Sequence, residues 1–341
     1  MKLPQVFERY RAEVDTELRS ALADRVLPMY DMMRYHLGWQ DERGQSLPGS
    51  GGKALRPTTC LLACEIVGGE YRRALPAAAA MELVHNFSLI HDDIQDGDSE
   101  RRHRPTVWSV WGKPQAINAG TAMRIVASLV LLRLGKHAIS ADKQLDAQRL
   151  LDESCLEMIE GQYLDISFEN RLDITTEDYL RMIDKKTAAL ISCSFELGAL
   201  LGTDDKLVME RFRCLGRNLG LAFQIRDDIL GIWGDEALTG KPRGSDIRHR
   251  KKSFPVVYLL ERVEGEVKRK LASIYEKEFI EADDLETVWG NLESVDALLQ
   301  SQQVAEKYCE QALGELERLP LSPPARRDLE EMAFFLVRRD S

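Results

Sequence analysis

Met81-Glu-Leu-Val-His-Asn-Phe-Ser-Leu-Ile-His-Asp-Asp-Ile-Gln-Asp96 is an apolar stretch that ends in three aspartates. Its hydrophobic residues recur at helical spacing, and Pro76 upstream suits the first turn of a helix running to about Asp96. Residues i and i+4 share one helix face, about 6 Å apart along the axis, so Asp92 and Asp96 aim two carboxylates at one point. A second pair, Asp227 and Asp228, lies in Gln224-Ile-Arg-Asp-Asp-Ile-Leu-Gly231, after the apolar run Leu215 to Ile225. Packed carboxylates repel one another unless a cation lies among them. Oxygen-only ligands suit Mg²⁺, which takes one or two carboxylates and fills its shell with water and substrate phosphate. Two clusters so far apart in sequence imply a cavity where several Mg²⁺ ions hold one polyphosphate.

Outward from these two stretches the chain reads as helix almost throughout. The pattern predicts one long amphipathic helix from Phe7 to Leu37, then helices at Ala54 to Val67, Gln115 to Lys136 and Lys143 to Phe168. Thr176 reads as the N-cap of a helix reaching Leu201, and Asp204 to Trp233 is the next. A polar loop, Gly234 to Lys252, leads to shorter helices ending near Phe335. Strand signals are nearly absent. With 341 residues, 44% of them hydrophobic, and no low-complexity linker, the chain reads as one large helical domain, 1–341.

A net charge of −10 disfavours a nucleic-acid partner, which needs a basic face. The six cysteines show no CxxC spacing, so they read as reduced core thiols of a cytoplasmic protein. The start of the sequence has no apolar signal core, and no uninterrupted apolar run is long enough to span a bilayer.

Basic groups accompany both acidic clusters. Arg101 and Arg102 follow the first. Gly51-Gly-Lys-Ala-Leu-Arg56-Pro57 gives a glycine turn, then Lys53 and Arg56 one helical turn apart. Lys185-Lys186-Thr187 adds ammonium and hydroxyl donors, and Thr239-Gly-Lys241 and Arg250-Lys251-Lys252 follow the second cluster. Arg offers a planar fork to phosphate oxygens and Lys a compact charge. An Asp–Mg²⁺ half and a Lys/Arg half suit two phosphorylated groups, one held through metal and one by direct ion pairs.

The motifs Gly-Gly-Lys-x-x-Arg-Pro, Asp-Asp-x-x-Asp with Arg-Arg after it, Gly161-Gln162-x-x-Asp165, Lys186-Thr187, Gln224-x-x-Asp227-Asp228, Lys241 and Lys251 stand in this order. In that order, from Gly51 to about Pro255, the chain resembles the trans-isoprenyl diphosphate synthases, the family of farnesyl and geranylgeranyl diphosphate synthases. The resemblance implies an all-α bundle of the isoprenoid synthase type, with its cavity between the helices bearing the Asp motifs, and a homodimer. It implies that Asp92, Asp96 and Asp165 bind Mg²⁺ on one side of an allylic diphosphate and Asp227 on the other, three ions in all, with Asp93 and Asp228 behind them. Arg101, Lys186, Thr187, Gln224, Lys241 and Lys251 would hold that diphosphate. Lys53, Arg56, His85 and Arg102 would hold isopentenyl diphosphate. Taken alone, His85 on an apolar helix reads as a core histidine; its place seven residues before Asp92 sets it with the site. The chemistry implied is ionisation of the allylic C–O bond, attack by isopentenyl diphosphate, and loss of a proton to the departing pyrophosphate, with Asp92, Asp96, Arg101, Lys186, Asp227 and Lys241 as the catalytic set.

The sequence departs from the family pattern at three places. Gly231 stands where many relatives have a third Asp, Ala54 where many have Arg, and Thr121 where many have Asp. Asp235, at i+8 from Asp227, is a candidate to compensate for Gly231. That spacing also resembles the second metal motif of class I terpene cyclases, which remains an alternative, as does a non-catalytic partner subunit. Phe87 and Ser88, five and four residues before Asp92, would set product length, the Phe87 ring acting as a floor. An aromatic there with no insertion between Asp92 and Asp96 resembles the geranylgeranyl synthases, so the expected product has twenty carbons, with fifteen the alternative.

Overall fold

The computed structural model describes residues 3–47, 54–169, 171–236, 242–319 and 321–338, and of Arg338 the backbone alone. As expected, the fold is all-α. In chain order the helices are α1 (Val6–Arg9), α2 (Arg11–Leu22), α3 (Pro28–His36), α4 (Leu55–Ile66), α5 (Leu75–Gln95), α6 (Val107–Trp111), α7 (Lys113–Leu131), α8 (Ala141–Phe168), α9 (Thr176–Ile183), α10 (Ala189–Gly202), α11 (Lys206–Trp233), α12 (Ser245–Arg248), α13 (Phe254–Arg262), α14 (Gly265–Tyr275), α15 (Ala282–Ser294), α16 (Ala297–Glu317) and α17 (Pro323–Arg338). Among the described residues the one sheet is a two-residue hairpin, β1 (Glu100–Arg101) antiparallel to β2 (Arg104–Pro105).

Two compact units emerge. One holds Gln5–Glu153 and Ser194–Met209. At its centre α5 packs against α7, α4 and α2. Ala77, Ala78, Ala79 and Ala80 on α5, and Ala116, Ala119 and Ala127 on α7, are wholly buried. Small residues at a helix contact let the axes approach closely. The other unit holds Ser154–Cys193 and Glu210–Ser341. There α13 lies against α9, α15 and α16, and α17 covers α16. Tyr179, Met182, Ile225, Ile229, Phe254 and Val257 form one of its cores, and Ile232, Ile247, Leu271, Val288 and Leu292 another.

Several sequence expectations need correction. The helix expected over Phe7 to Leu37 is three helices, α1 to α3. Leu27 is extended before Pro28, as the proline ring requires of the residue it follows. The cap of α9 is Thr175, not Thr176: its hydroxyl accepts from the Asp178 backbone N–H, and the Asp178 carboxylate accepts from Thr175 N–H in return. The helix expected from Thr176 to Leu201 is interrupted by a π-helical turn over Asp184–Ala188. The loop from Gly234 to Lys252 contains α12. Lys113–His137, interrupted by Arg124 and Arg133, is by length and composition alone long and apolar enough to cross a membrane, and 44% of its apolar window is buried.

Candidate active site

In the first unit α5 carries the first acidic motif. Its two adjacent aspartates part company: Asp92 is half-buried, whereas Asp93 is only 1% exposed. Asp93 Oδ1 accepts from Arg101 Nε at 2.6 Å, and its Oδ2 is buried without a partner. Burial pushes the Asp93 carboxyl up to about 6, against the pull of Arg101. Asp96 ends α5, its N–H donating to Asp92 O at 2.8 Å, with its side chain exposed.

Arg101 and Arg102 are placed by the β1–β2 hairpin. Arg102 and His103 form its tip with φ of 52° and 59°, the left-handed pair that a two-residue hairpin of this twist requires. Arg104 anchors the far strand, donating to Tyr35 O and Gln40 O and lying over the Tyr35 ring. The Thr106 hydroxyl and the Trp108 indole both donate to Asp98 O. A cavity of about 50 Å³ opens beside this hairpin, lined by Tyr35, His36, Asp93, Arg101, Arg102 and Arg104 among others.

The same unit gathers Arg56, His85, Arg101 and Arg102. Protein packed around Arg56 lowers its guanidinium to about 10, opposed by Glu82, and leaves Nε without a partner. Burial, then Arg56, Arg102 and Arg101, hold His85 well below the usual histidine range, so it is neutral at neutral pH. Ser88 Oγ donates to His85 O at 2.8 Å. The Phe87 ring is buried and meets the His91 ring edge-on, with centroids 5.7 Å apart.

In the second unit the other adjacent pair repeats the split. Asp227 is half-buried and Asp228 is fully buried. The Tyr179 hydroxyl and Phe254 N–H donate to Asp228 Oδ2, and Gln224 Nε2 donates to Oδ1 at 3.1 Å. Burial pushes Asp228 up, against the pull of Lys251 and the bond from Tyr179. Thr187 Oγ1 donates to Gln224 Oε1 at 2.9 Å, joining the π turn to α11. From the same turn Lys186 Nζ donates to Asp165 Oδ2 on α8 at 2.5 Å. This approach depends on Gly161: a Cβ there would lie 2.2 Å from Lys186 N.

Adjacent lysines after α12 separate as clearly. Lys251 Nζ lies 3.8 Å from Asp228 and 3.7 Å from Asp246. Lys252 is buried, donates to Glu169 O at 3.1 Å and lies over the Tyr275 ring. Asp235 is exposed. Lys53 and Lys241, with Gly51, Gly52, Thr239 and Gly240, lie outside the described residues.

Sequence reasoning missed His36, Tyr179 and Asp246. His36 ends α3; burial and the charges of Arg101 and Arg102 lower it to about 3, and its Nε2 has no partner. No spacing rule ties it to Arg101, sixty-five positions on. Tyr179 sits at an apolar helix position, where a core role is the default reading.

Among the described residues no three acidic, histidine or cysteine side chains form a closed metal cage. Carboxylates instead occur singly or in pairs beside cations, and one buried oxygen, Asp93 Oδ2, lacks a donor. That donor set fits Mg²⁺ completed by water and phosphate oxygens.

Comparison with known proteins gives a consistent result. A family profile described as "Polyprenyl synthetase" matches residues 39–292. The chain is 39% identical over 334 residues to a (2E,6E)-farnesyl diphosphate synthase of Mycobacterium tuberculosis, covering 96% of this chain and 91% of that protein. It is 38% identical over 336 residues to a geranylgeranyl diphosphate synthase of the same organism, covering 98% and 93%. The crystal structure of a polyprenyl synthetase from Streptomyces coelicolor superposes with a TM-score of 0.90 at 37% identity, covering 98% of this chain and 100% of that one.

Proposed function

The chain belongs to the polyprenyl synthetase family, and on that premise we propose that this trans-prenyltransferase condenses isopentenyl diphosphate with an allylic diphosphate, with Mg²⁺ and a twenty-carbon product. The observation that carries this reading is the pairing of charges at the acidic motifs. Arg101 pairs with Asp93, Lys186 with Asp165, and Lys251 with Asp228. Each of these three cations thus rests on a carboxylate of one of the acidic motifs. As diphosphate and Mg²⁺ bind, Lys186 and Asp165 would exchange each other for those ligands, while buried Asp93 and Asp228 keep Arg101 and Lys251 in place.

Asp92, Asp96, Asp165 and Asp227 are proposed to hold Mg²⁺, with Asp93 and Asp228 fixed behind their neighbours. When bound, the metal draws off charge that develops on the leaving pyrophosphate. Arg101, Lys186, Lys251 and Lys241 share that task as fixed cations, and Thr187 and Gln224 orient the oxygens. Arg56, Arg102 and Lys53 bind the second diphosphate, and neutral His85 donates one hydrogen bond without adding to their repulsion. No side-chain base is required, because the proton can leave with pyrophosphate. Phe87 closes the tail space, which supports the longer product. The near-equal similarity to a farnesyl synthase keeps fifteen carbons as the second reading.

A homodimer is proposed on the exposed apolar residues Ile117, Ile125 and Leu129 of α7 and Leu132 just beyond it. The six free cysteines support a reducing, cytoplasmic setting.

The test is a product assay. Protein receives isopentenyl diphosphate with each allylic diphosphate, with and without Mg²⁺, and phosphatase-released alcohols are sized. Metal-dependent geranylgeraniol is the expected result. Farnesol selects the second reading, and no prenyl alcohol with any primer overturns the proposal.

A further inference from the structure

The first acidic motif places carboxylates at i, i+1 and i+4: Asp92, Asp93 and Asp96. The second has Asp227 and Asp228 but glycine at i+4, Gly231. Position 231 shares the helix face of Asp227, one turn on. A Cβ at Gly231 would lie 2.3 Å from Asp246 Oδ2, 2.4 Å from its Cγ and 2.7 Å from its Oδ1. The whole carboxyl group of Asp246 therefore stands where a side chain at 231 would stand. We propose that Asp246 is the missing carboxylate of the second motif, delivered from α12, and that Gly231 is glycine because it must admit it. This assignment rests on the Mg²⁺–diphosphate reading above.

Two further features support it. Lys251 Nζ stands between the two acidic groups, 3.8 Å from Asp228 and 3.7 Å from Asp246, so Asp246 belongs to the charge cluster of the motif. Its side chain is 13% exposed, against the exposed Asp235 that the sequence offered for this role. The backbone also fixes its position. Gly244 N–H donates to Ile232 O at 3.1 Å, tying the segment before α12 to the end of α11. Ile247, the next residue, is fully buried, and Lys251 N–H donates to Asp246 O at 2.9 Å. Asp246 is thus held by the fold beside Asp227's face, and one more carboxylate there raises the local affinity for a divalent cation.

The experiment compares wild type, Asp246→Asn, Gly231→Asp and the double variant. Calorimetry measures binding of inorganic pyrophosphate against Mg²⁺ concentration, and thermal unfolding is followed in metal-free buffer. Asp246→Asn is expected to raise the Mg²⁺ concentration for half-saturation by about 10-fold or more, with the metal-free melting temperature unchanged or raised. Gly231→Asp alone is expected to lower that melting temperature, because two carboxylates compete for one place. The double variant is expected to recover both the melting temperature and most of the Mg²⁺ dependence, a rescue that a purely structural Asp246 would not give. Wild-type Mg²⁺ dependence in Asp246→Asn, or a double variant as weak as Asp246→Asn, overturns the assignment alone. Absence of Mg²⁺-dependent pyrophosphate binding in wild type overturns the functional reading and this assignment with it.

Discussion

Phe87 lies five residues before Asp92, with its ring buried and the His91 ring edge-on against it. In the proposed reading this ring is the floor of the tail space below the first motif. Phe87→Ala is expected to lengthen the product by an isoprene unit or more, measured by sizing the released alcohols. Truncating a buried ring also costs about 3 kcal/mol of stability, so Phe87→Leu serves as a milder companion, and unchanged chain length in both variants would remove Phe87 as the floor. Lys251 and Lys252 pose a second residue-scale question, since they are adjacent and only the resemblance favours Lys251. The structure separates them: Lys251 reaches the acidic cluster, whereas burial, helped by Arg250, lowers Lys252 to about 8. Below pH 8 Lys252 is charged both folded and unfolded, and its burial cost is constant. Between pH 8 and the unfolded value of 10.5 the folded chain gives up the proton first, so stability rises with pH. Relative to Lys252→Met, wild type is expected to gain up to about 3 kcal/mol over that interval, read by denaturant unfolding at a series of pH values. Parallel stabilities across the interval would contradict the burial argument. Residues inside contiguous motifs are singled out by spacing and by the resemblance those motifs carry; Asp246 and His36 are not, because only tertiary folding brings them to their partners.

Helices are where the sequence spoke most clearly, and the exceptions are physical. The start of α5 was legible because Pro76 suits a first helical turn, and its course because apolar residues recur along it. The break before α3 was written in Pro28 and overridden by the surrounding amphipathic pattern. The π turn over Asp184–Ala188 is not legible in the sequence, because no proline or glycine marks the single turn and its flanks read as helix. Yet that turn carries Lys186 and Thr187, and it can approach α8 only because Gly161 has no side chain: the added Cβ would lie 2.2 Å from Lys186 N and 2.5 Å from its Cα. In an exposed helix interior Gly→Ala stabilises by about 1 kcal/mol. Here the sign reverses. Gly161→Ala is expected to destabilise by about 3 kcal/mol and to weaken binding of the allylic diphosphate, since backbone rather than a flexible side chain must move. A more stable variant with unchanged KM for the allylic substrate would show that α8 and the turn do not need this approach.

At the scale of the whole molecule, composition announced a large helical chain but not which of its apolar residues face outward. α7 turns Ala116, Ala119, Met123 and Ala127 inward, while Ile117 is 49%, Ile125 58% and Leu129 47% exposed, and Leu132 beyond it 57%. Ile125, Leu129 and Leu132 follow one another at spacings of four and three, and Ile117 lies two turns before Ile125, so the four share one side of the helix. On α8 a second row, Leu156, Ile159, Tyr163 and Ile166, is also exposed. Contiguous apolar rows of this kind mark interaction surfaces, and a second copy of the chain brings a matching apolar row by symmetry. The expectation is a dimer of wild type at micromolar concentration. Burying each of these side chains contributes on the order of 2 kcal/mol, and a glutamate in its place leaves a charge in an apolar contact. Ile125→Glu with Leu129→Glu should therefore raise the dimer dissociation constant by at least about 100-fold, giving half the molar mass by light scattering. Because both positions are exposed within a single copy, helicity by circular dichroism should be retained, which separates loss of the partner from loss of the fold. A wild-type monomer, or a doubly substituted protein that remains dimeric, would assign these rows to some other contact.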